Sequence, residues 1–331
     1  MAEKAKRGCW KFGCFGCLGL SGAVILIFAL LSALQIARER SDRTPVTRNA
    51  TRELPRIEEL ERLIASGEIG EQGVLAIDPA ILADPEIASQ IGRVDLDLDL
   101  GEFQIEAGEP GSAVEVEADF EEDAFRFEER LIEDDDGSYT YSITMRPRGG
   151  MLGLMLRGAG NNPRNRVTIR IPPDRPVDLV GTIGLGSSRL DLGGLWLRRV
   201  DLEAGTGEHT ITFDQPLRSP LESFVVDKSV GELVVRSLGN ASPILSEVRQ
   251  SVGELTVDLS GAWANDGRVE ITNRIGEANV RAPDRARLEI ERAAVGVGDQ
   301  VVRAPEQGEL PEDAPTVTLV ISGQVGEITV R

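Results

Sequence analysis

The sequence predicts an all-β protein, a parallel β-solenoid with an antiparallel hairpin insertion, preceded by one N-terminal transmembrane helix. The solenoid is predicted by a short motif in which an aliphatic residue or threonine precedes a glycine, usually followed by glutamate. Between Gly186 and Gly276 the motif recurs every 21 to 24 residues. Units of this length cannot bury an apolar face alone and must stack. The motif glycines are Gly101, Gly186, Gly207, Gly231, Gly253, Gly276 and Gly326.

Apolar columns appear when the units are aligned on this glycine. Most residues five and seven positions before the glycine are aliphatic, and polar residues alternate with them. A period of two on both sides of a glycine indicates strand, bend and strand with one buried face. A further unit around Gly296 and Gly298 slips by one residue, which predicts a bulged rung. The fourth residue after the glycine is always aliphatic: Ile105, Leu190, Ile211, Val235, Val257, Val280 and Val330.

The N-terminal segment predicts a membrane anchor. Phe15 to Ile36 is almost wholly apolar, and a helix of this length spans about 33 Å, enough to cross a bilayer. A cleavable signal peptide is the alternative, but no small-x-small cleavage site precedes Gln35. We therefore expect residues 1–40 to be a basic cytoplasmic tail and an uncleaved helix in a bacterial cytoplasmic membrane. The domain that follows is expected outside the cytoplasm.

All three cysteines, Cys9, Cys14 and Cys17, lie in this segment. They could be acylated, ligate a metal, or serve as small apolar residues at the membrane interface. The rest of the chain has no cysteine, so it has neither a disulfide framework nor a thiol nucleophile.

Residues 41–92 are expected to connect the anchor to the solenoid. Ser41–Arg52 is polar and predicts a tether. Pro55 opens a segment whose apolar residues at 57, 60, 63 and 64 share one helical face, and Asp78-Pro79 and Asp84-Pro85 indicate two further helix starts. These short juxtamembrane helices are predicted to cover the open edge of the first rung.

The solenoid domain is predicted over residues 93–331, interrupted by an insertion at about 106–176. Alternating patterns in Val114–Ala118, Phe125–Phe127 and Tyr139–Ile143 indicate antiparallel strands. The apolar, glycine-rich stretch Gly149–Leu156 indicates either a contact loop for a membrane or partner, or a loop folded onto its own sheet.

Charge limits the kind of partner. The formal net charge is -19, which argues against nucleic acid as a partner, because phosphate-binding surfaces need clustered Lys and Arg. Cations, cationic peptides or a basic protein surface would be attracted.

The glutamate after each glycine is the candidate binding face. Stacked rungs would place these carboxylates about 4.8 Å apart, a like-charged ladder that bound cations or basic side chains would compensate. The alternative is that each glutamate is hydrated or bonds to its own bend. Three aspartates also share one strand face, namely Asp95, Asp97 and Asp99. This pattern indicates either a calcium site or a solvated strand face without a ligand. The candidate face is Glu208, Glu232, Glu254, Glu277 and Glu327, with Glu102 in the same column.

No catalytic residue, cofactor site or metal site is predicted. His209, the only histidine, occupies an inward column, which favours a core histidine over a general base. No nucleophile motif accompanies it. A polysaccharide-active solenoid enzyme would need a carboxylate cluster, and none is distinguished among the acidic residues.

Val167 to Arg331 resembles the toast-rack or putative-adhesin domain of bacterial envelope proteins and the C-terminal region of the cell wall-active antibiotic response family. The resemblance rests on Leu190–Leu195, Val230–Leu233, Val252–Gly261 and Ile275–Val280. The resemblance implies a toast-rack-like solenoid and offers no catalytic residues. It also implies that the domain functions together with membrane-bound signalling partners that sense envelope damage.

These observations predict a non-enzymatic, membrane-anchored binding, sensing or scaffold module at the bacterial cell envelope. Its expected partners are membrane lipid, through the N-terminal helix, and an envelope or signalling protein. The alternative is a self-assembling, adhesin-like homo-oligomer, because the chain ends directly after the strand Glu327–Val330 and would expose an edge there.

Overall fold

A computed structural model describes residues 45–66, 79–82, 84–134, 138–150, 164–303 and 310–331. The predicted transmembrane helix, the three cysteines and residues 151–156 of the apolar loop lie outside these ranges. No helix within them is both long enough and apolar enough to cross a membrane.

The described residues form one mostly β architecture with a few short helices. The helices are α1 (Glu58–Ala65), α2 (Pro79–Leu82), α3 (Pro85–Ala88) and a 3₁₀ turn at Leu238–Asn240. The strands are β1 (Pro45–Arg52), β2 (Gly92–Ala107), β3 (Val114–Glu121), β4 (Phe125–Glu133), β5 (Tyr139–Pro147), β6 (Asn165–Ile171), β7 (Val177–Asp191), β8 (Leu197–Thr212), β9 (Ser223–Arg236), β10 (Leu245–Asp258), β11 (Gly267–Arg281), β12 (Arg287–Val302) and β13 (Thr316–Val330).

Eight long strands stack as rungs in the order β2, β7, β8, β9, β10, β11, β13, β12, each parallel to its neighbours. Each rung bends at its motif glycine, and the glycines lie opposite one another. Their φ angles fall between +116° and +151°, a region that residues other than glycine avoid because their Cβ atoms clash there. The bend divides every rung into two arms, so the single sheet folds into two halves with the core between them.

The predicted apolar columns are confirmed. From Ile105 to Val330, the residues four positions after the glycine are at most 2% exposed, and they pair in register across the rungs. The core is therefore a set of aliphatic ladders, one residue per rung.

The insertion extends both halves of the sheet beyond the first rung. β4 and β5 form the antiparallel hairpin, and β5 pairs in parallel with the first arm of β2. β6 pairs in parallel with the second arm, followed outward by β3 and β1. Phe120 and Phe127, with ring centroids 6.2 Å apart, pack between the two extensions. The insertion thus covers the edge of the first rung, where helices are predicted from the sequence.

The N-terminal elements differ from expectation in two ways. Pro45–Arg52 is a strand rather than a tether, because it pairs antiparallel with β3 along its whole length, with ion pairs from Arg48 to Glu122 and from Arg52 to Glu129 beside it. The three short helices form as predicted but pack around the buried Trp196 between β7 and β8. They therefore cover the side of the early rungs rather than an end of the stack.

The far end of the stack reverses the order of the last two rungs. β13 lies between β11 and β12, with Gly326 opposite both Gly276 and Gly298. The bulge predicted near Gly296 is confirmed as a register shift between Ile290 and Arg292. Glu327–Val330 is paired on both sides, so the free edge predicted there is wrong. The outermost rung is β12.

Candidate functional site

The candidate site is the outer face of the bends, where the five predicted glutamates pair in register as one row. Asp299 on β12 extends the row by one rung. At about 4.8 Å per rung, these six carboxylates cover about 24 Å. We call Glu208, Glu232, Glu254, Glu277, Glu327 and Asp299 the acidic column.

The bend geometry turns these side chains outward. In β9, Val226 and Lys228 point inward before the glycine, whereas Leu233 and Val235 point inward after it. The positive φ of Gly231 reverses the alternation, which leaves the four residues from Ser229 to Glu232 on the outside of the corner. The same reversal at each rung places one carboxylate beside the next.

Much of the acidic column is not neutralised by the described residues. Glu277 accepts a hydrogen bond from Asn279 (2.9 Å), and Glu327 accepts one from Thr329 (3.3 Å). Glu208, Glu232 and Glu254 are exposed, and nothing in the described ranges pairs with them. No group of three or more metal-ligating side chains is close enough to hold a metal ion within those ranges. The column is therefore better suited to separate cationic groups, one per rung, than to a chelated ion.

Behind the column, buried polar side chains satisfy the carbonyls that the bends leave unpaired. Lys228 donates to the carbonyls of Gly205 and Val230 (2.8 Å to the latter). Gln250 donates to the Gly231 carbonyl at 3.0 Å, and Asn273 donates to that of Glu277 at 2.9 Å. A buried carbonyl without a partner costs about 1–3 kcal/mol. These inward residues therefore hold the corners rigid, a role not predicted from the sequence.

His209 lies on the inward face, as predicted. Its Nδ1 shares a hydrogen bond of 2.8 Å with the Ser188 hydroxyl, and its Nε2 has no hydrogen-bond partner among the described residues. The spacing would suit a nucleophile and its base. However, both side chains are buried, at 7% and 2% exposure, and no carboxylate in the described part of the chain orients the imidazole. This arrangement favours packing rather than catalysis.

Burial, followed by the nearby Lys228 ammonium, lowers the pKa of His209 to about 4. The unfolded chain, with a histidine pKa of about 6.5, therefore takes up the proton first as pH falls. The contribution of the neutral, buried His209 to stability is complete above about pH 6.5 and is lost as the pH falls towards 4. Between pH 7 and pH 5, we expect the free energy of unfolding of the wild-type protein to fall by roughly 2 kcal/mol more than that of His209→Leu.

Urea titrations of both proteins at the two pH values measure this difference. NMR titration of the single histidine provides an independent check. Equal losses in wild type and variant, or a histidine pKa near 6.5, would contradict the buried placement.

The aspartate row of β2 does not assemble a metal site in the described structure. Asp97 pairs with Arg146, and desolvation, then the charge of Asp97, raises the pKa of Asp99. The ion pair to Arg146 favours the interpretation of these aspartates as a partly solvated strand face.

A polar cavity of about 520 Å³ lies where Ser187 interrupts the glutamate sequence between Glu102 and Glu208. Its charged groups are largely paired with one another. Arg166 contacts Glu102 at 2.6 Å, and Arg164 contacts Asp119 at 3.6 Å. The cavity therefore offers little net charge to a ligand.

Comparison with protein families gives one match. Residues 73–236 match the N-terminal domain of toast_rack, DUF2154. The match spans α2, α3, the insertion and the rungs β2, β7, β8 and β9. A comparison with functionally curated proteins returned no match.

Several crystal structures resemble the chain at low identity. A putative cell adhesion protein from Clostridium sporogenes is 16% identical, with a TM-score of 0.39, over 87% of this chain and 99% of that one. A putative adhesin from Bacteroides fragilis is 9% identical, with a TM-score of 0.36, over 87% and 97%. A putative adhesin from Parabacteroides distasonis is 10% identical, with a TM-score of 0.35, over 88% and 98%. Likenesses this distant carry no argument about ligands.

Proposed function

Since the chain belongs to the toast-rack family by its match over residues 73–236, we propose that it is a non-enzymatic binding module at the bacterial cell envelope. The rigid corner of the stack is its recognition surface, and a cationic partner binds there. In this proposal the apolar segment Phe15–Ile36 anchors the module in the cytoplasmic membrane, with the stack outside the cytoplasm. It acts there as a sensor or scaffold for an envelope or signalling protein.

The observation that carries this proposal is the open charge of the acidic column. Its carboxylates are held in register by the glycine bends, and Glu208, Glu232 and Glu254 lack partners among the described residues. Like charges at this spacing repel one another, so a partner that supplies cations at the same spacing relieves the repulsion. The buried Ser188 and His209 support the non-enzymatic part of the proposal.

Binding of a cationic peptide tests the proposal. Full-length protein in phosphatidylcholine nanodiscs is titrated into fluorescent oligolysine, and anisotropy is recorded at several salt concentrations. We expect Glu232→Gln, Glu254→Gln and Glu277→Gln together to weaken binding about tenfold and to reduce its salt dependence, because three exposed ion pairs are lost.

A matched variant controls for net charge. Asp201→Asn, Glu203→Gln and Glu289→Gln remove three exposed carboxylates outside the acidic column. This control should change the affinity by less than about twofold. An equal loss in both variants would show attraction by net charge alone and would rule out the acidic column as the binding surface.

A further inference from the structure

In most rungs the residue before the bend glycine is aliphatic and yet exposed to solvent. In the last five rungs of the stack, this position forms an uninterrupted apolar row, which we call the ridge. Neighbouring members are paired in register. The ridge consists of Val230 (43% exposed), Val252 (40%), Ile275 (49%), Val325 (48%) and Val297 (67%).

Strand propensity alone does not require this row. A β-branched residue suits the extended backbone before the bend, but Thr206 occupies the same position in β8 and satisfies that preference with a polar side chain. Isolated exposed valines are common on soluble proteins, whereas contiguous apolar surface usually marks an interaction site. The ridge therefore calls for an apolar partner surface.

The borders of the ridge indicate the charge of that partner. On one side, two residues further along each rung, runs the acidic column. On the other side, the five residues are Ser229, Ser251, Arg274, Gln324 and Gly296. A second copy of this corner would thus bring only Arg274 as a cation. An anionic lipid surface would meet the carboxylates and be repelled. The charge complement is a segment with an apolar stripe and a row of Lys or Arg beside it.

The spacing of the rungs indicates the conformation of the partner. An α-helix rises about 5.4 Å per turn, close to the rung spacing of about 4.8 Å. Over the four intervals of the ridge the two repeats drift apart by only about 2.4 Å. A β-strand repeats its side chains on one face every 6.6 Å or so and loses the match within about two rungs. A helix can therefore place one apolar and one basic residue on each rung.

We propose that the ridge and the acidic column together bind a basic amphipathic α-helix of another protein. About 13 residues of that helix would cover the five rungs, lying along the stack. Its apolar stripe would rest on the ridge, and its basic residues would face the carboxylates, one per turn. This inference rests on the proposed function, which supplies the cationic partner, and adds the partner's fold and direction.

Two synthetic peptides of about 14 residues test the proposal. One places leucine along a single helical stripe with lysine on its border, and the other has the same composition in scrambled order. The fluorescence anisotropy of each labelled peptide is measured during titration with full-length protein in phosphatidylcholine nanodiscs. Empty nanodiscs give the background. We expect the amphipathic peptide to bind about tenfold more tightly than the scrambled one, because only it buries the ridge.

The matched ridge variant carries Val252→Thr, Ile275→Thr and Val325→Thr, which retain β-branching at exposed positions. We expect it to lose the tenfold preference while its melting temperature and oligolysine affinity stay at the wild-type values. Equal binding of both peptides to wild type, or an unchanged preference in the variant, would overturn the helix proposal. Loss of oligolysine binding in the acidic-column variant would still support the proposed function in that case.

Two further results would assign the ridge to another occupant and overturn the proposal. One is ridge-dependent flotation with phosphatidylglycerol vesicles, which would indicate lipid. The other is concentration-dependent dimerisation in sedimentation velocity that the ridge variant abolishes, which would indicate a second copy.

Discussion

Gly253→Ala is expected to lower the free energy of unfolding by about 4 kcal/mol, combining a glycine-only backbone angle with overpacking. The φ of Gly253 is +130°. A Cβ there would lie 1.9 Å from the carbonyl oxygen of Gly231 and 3.0 Å from Nε2 of Gln250. Neither the backbone of β9 nor the buried amide can move without disturbing the adjacent rungs. Urea titration followed by intrinsic tryptophan fluorescence, to which the buried Trp196 and Trp263 contribute, measures the loss.

Gly111→Ala is the matched control. Gly111 also has a positive φ, +73°, but a Cβ there finds nothing within 4 Å among the described residues. Its cost should be about 1–2 kcal/mol, the ordinary penalty for a left-handed backbone. Similar losses at Gly111 and Gly253 would mean that the bends are not stacked as closely as the structure shows.

Asp178→Ala is expected to cost about 3–5 kcal/mol, because it leaves the Arg198 guanidinium buried without its counter-ion. The two side chains are 10% and 12% exposed and form a two-pronged pair, with Nε to Oδ1 at 2.9 Å and Nη2 to Oδ2 at 2.5 Å. Arg198 also reaches the Ala88 carbonyl at 3.4 Å. The pair therefore joins the second and third rungs, β7 and β8, to α3, and its loss should loosen that packing.

The neighbouring residue provides the control. Arg199 forms an equally regular pair with Glu222 at 2.6 Å, but these side chains are about half exposed. Glu222→Ala should therefore cost less than about 1 kcal/mol. Thermal unfolding of both variants measures the contrast, and comparable losses would contradict the importance assigned to burial.

The stack itself could be predicted from the sequence because every rung repeats the same local pattern. Ile211, Val235, Val257 and Val280 occupy equivalent positions after a glycine, and alternation alone assigns them to the core. The acidic column follows from the same alignment, since one residue after each glycine must share one face. Whether that column binds anything is not encoded in the repeat and stays a prediction.

Features that depend on distant contacts could not be predicted in this way. The units around Gly298 and Gly326 have similar local patterns, so nothing within them indicates that β13 enters before β12. Pro45–Arg52 is polar, and its strand forms by backbone pairing with β3, which is distant in the sequence. Both features are determined by pairing between segments that are distant in the sequence, and local strand propensity does not reveal such pairing.

Two features of the corner were predictable in principle. Lys228, Gln250 and Asn273 lie two residues after an inward aliphatic position, so strict alternation places them inside despite their polarity. Counting back from the inward Leu255 in the second arm places Val252 outside despite its apolar side chain. Residue type suggested the opposite in each case. Such disagreement between pattern and residue type is the signal that marks structural or binding roles.

The most direct test of the in-register column is disulfide formation between pairs of cysteines introduced into it. In a background with Cys9, Cys14 and Cys17 replaced by serine, Glu254→Cys with Glu277→Cys, and Glu277→Cys with Glu327→Cys, should crosslink on mild oxidation. Each pair lies on adjacent rungs, about 4.8 Å apart. Glu277→Cys with Asp299→Cys should not, because β13 separates them. Crosslinking of that last pair, or failure of the first two, would contradict the structure proposed for the binding face.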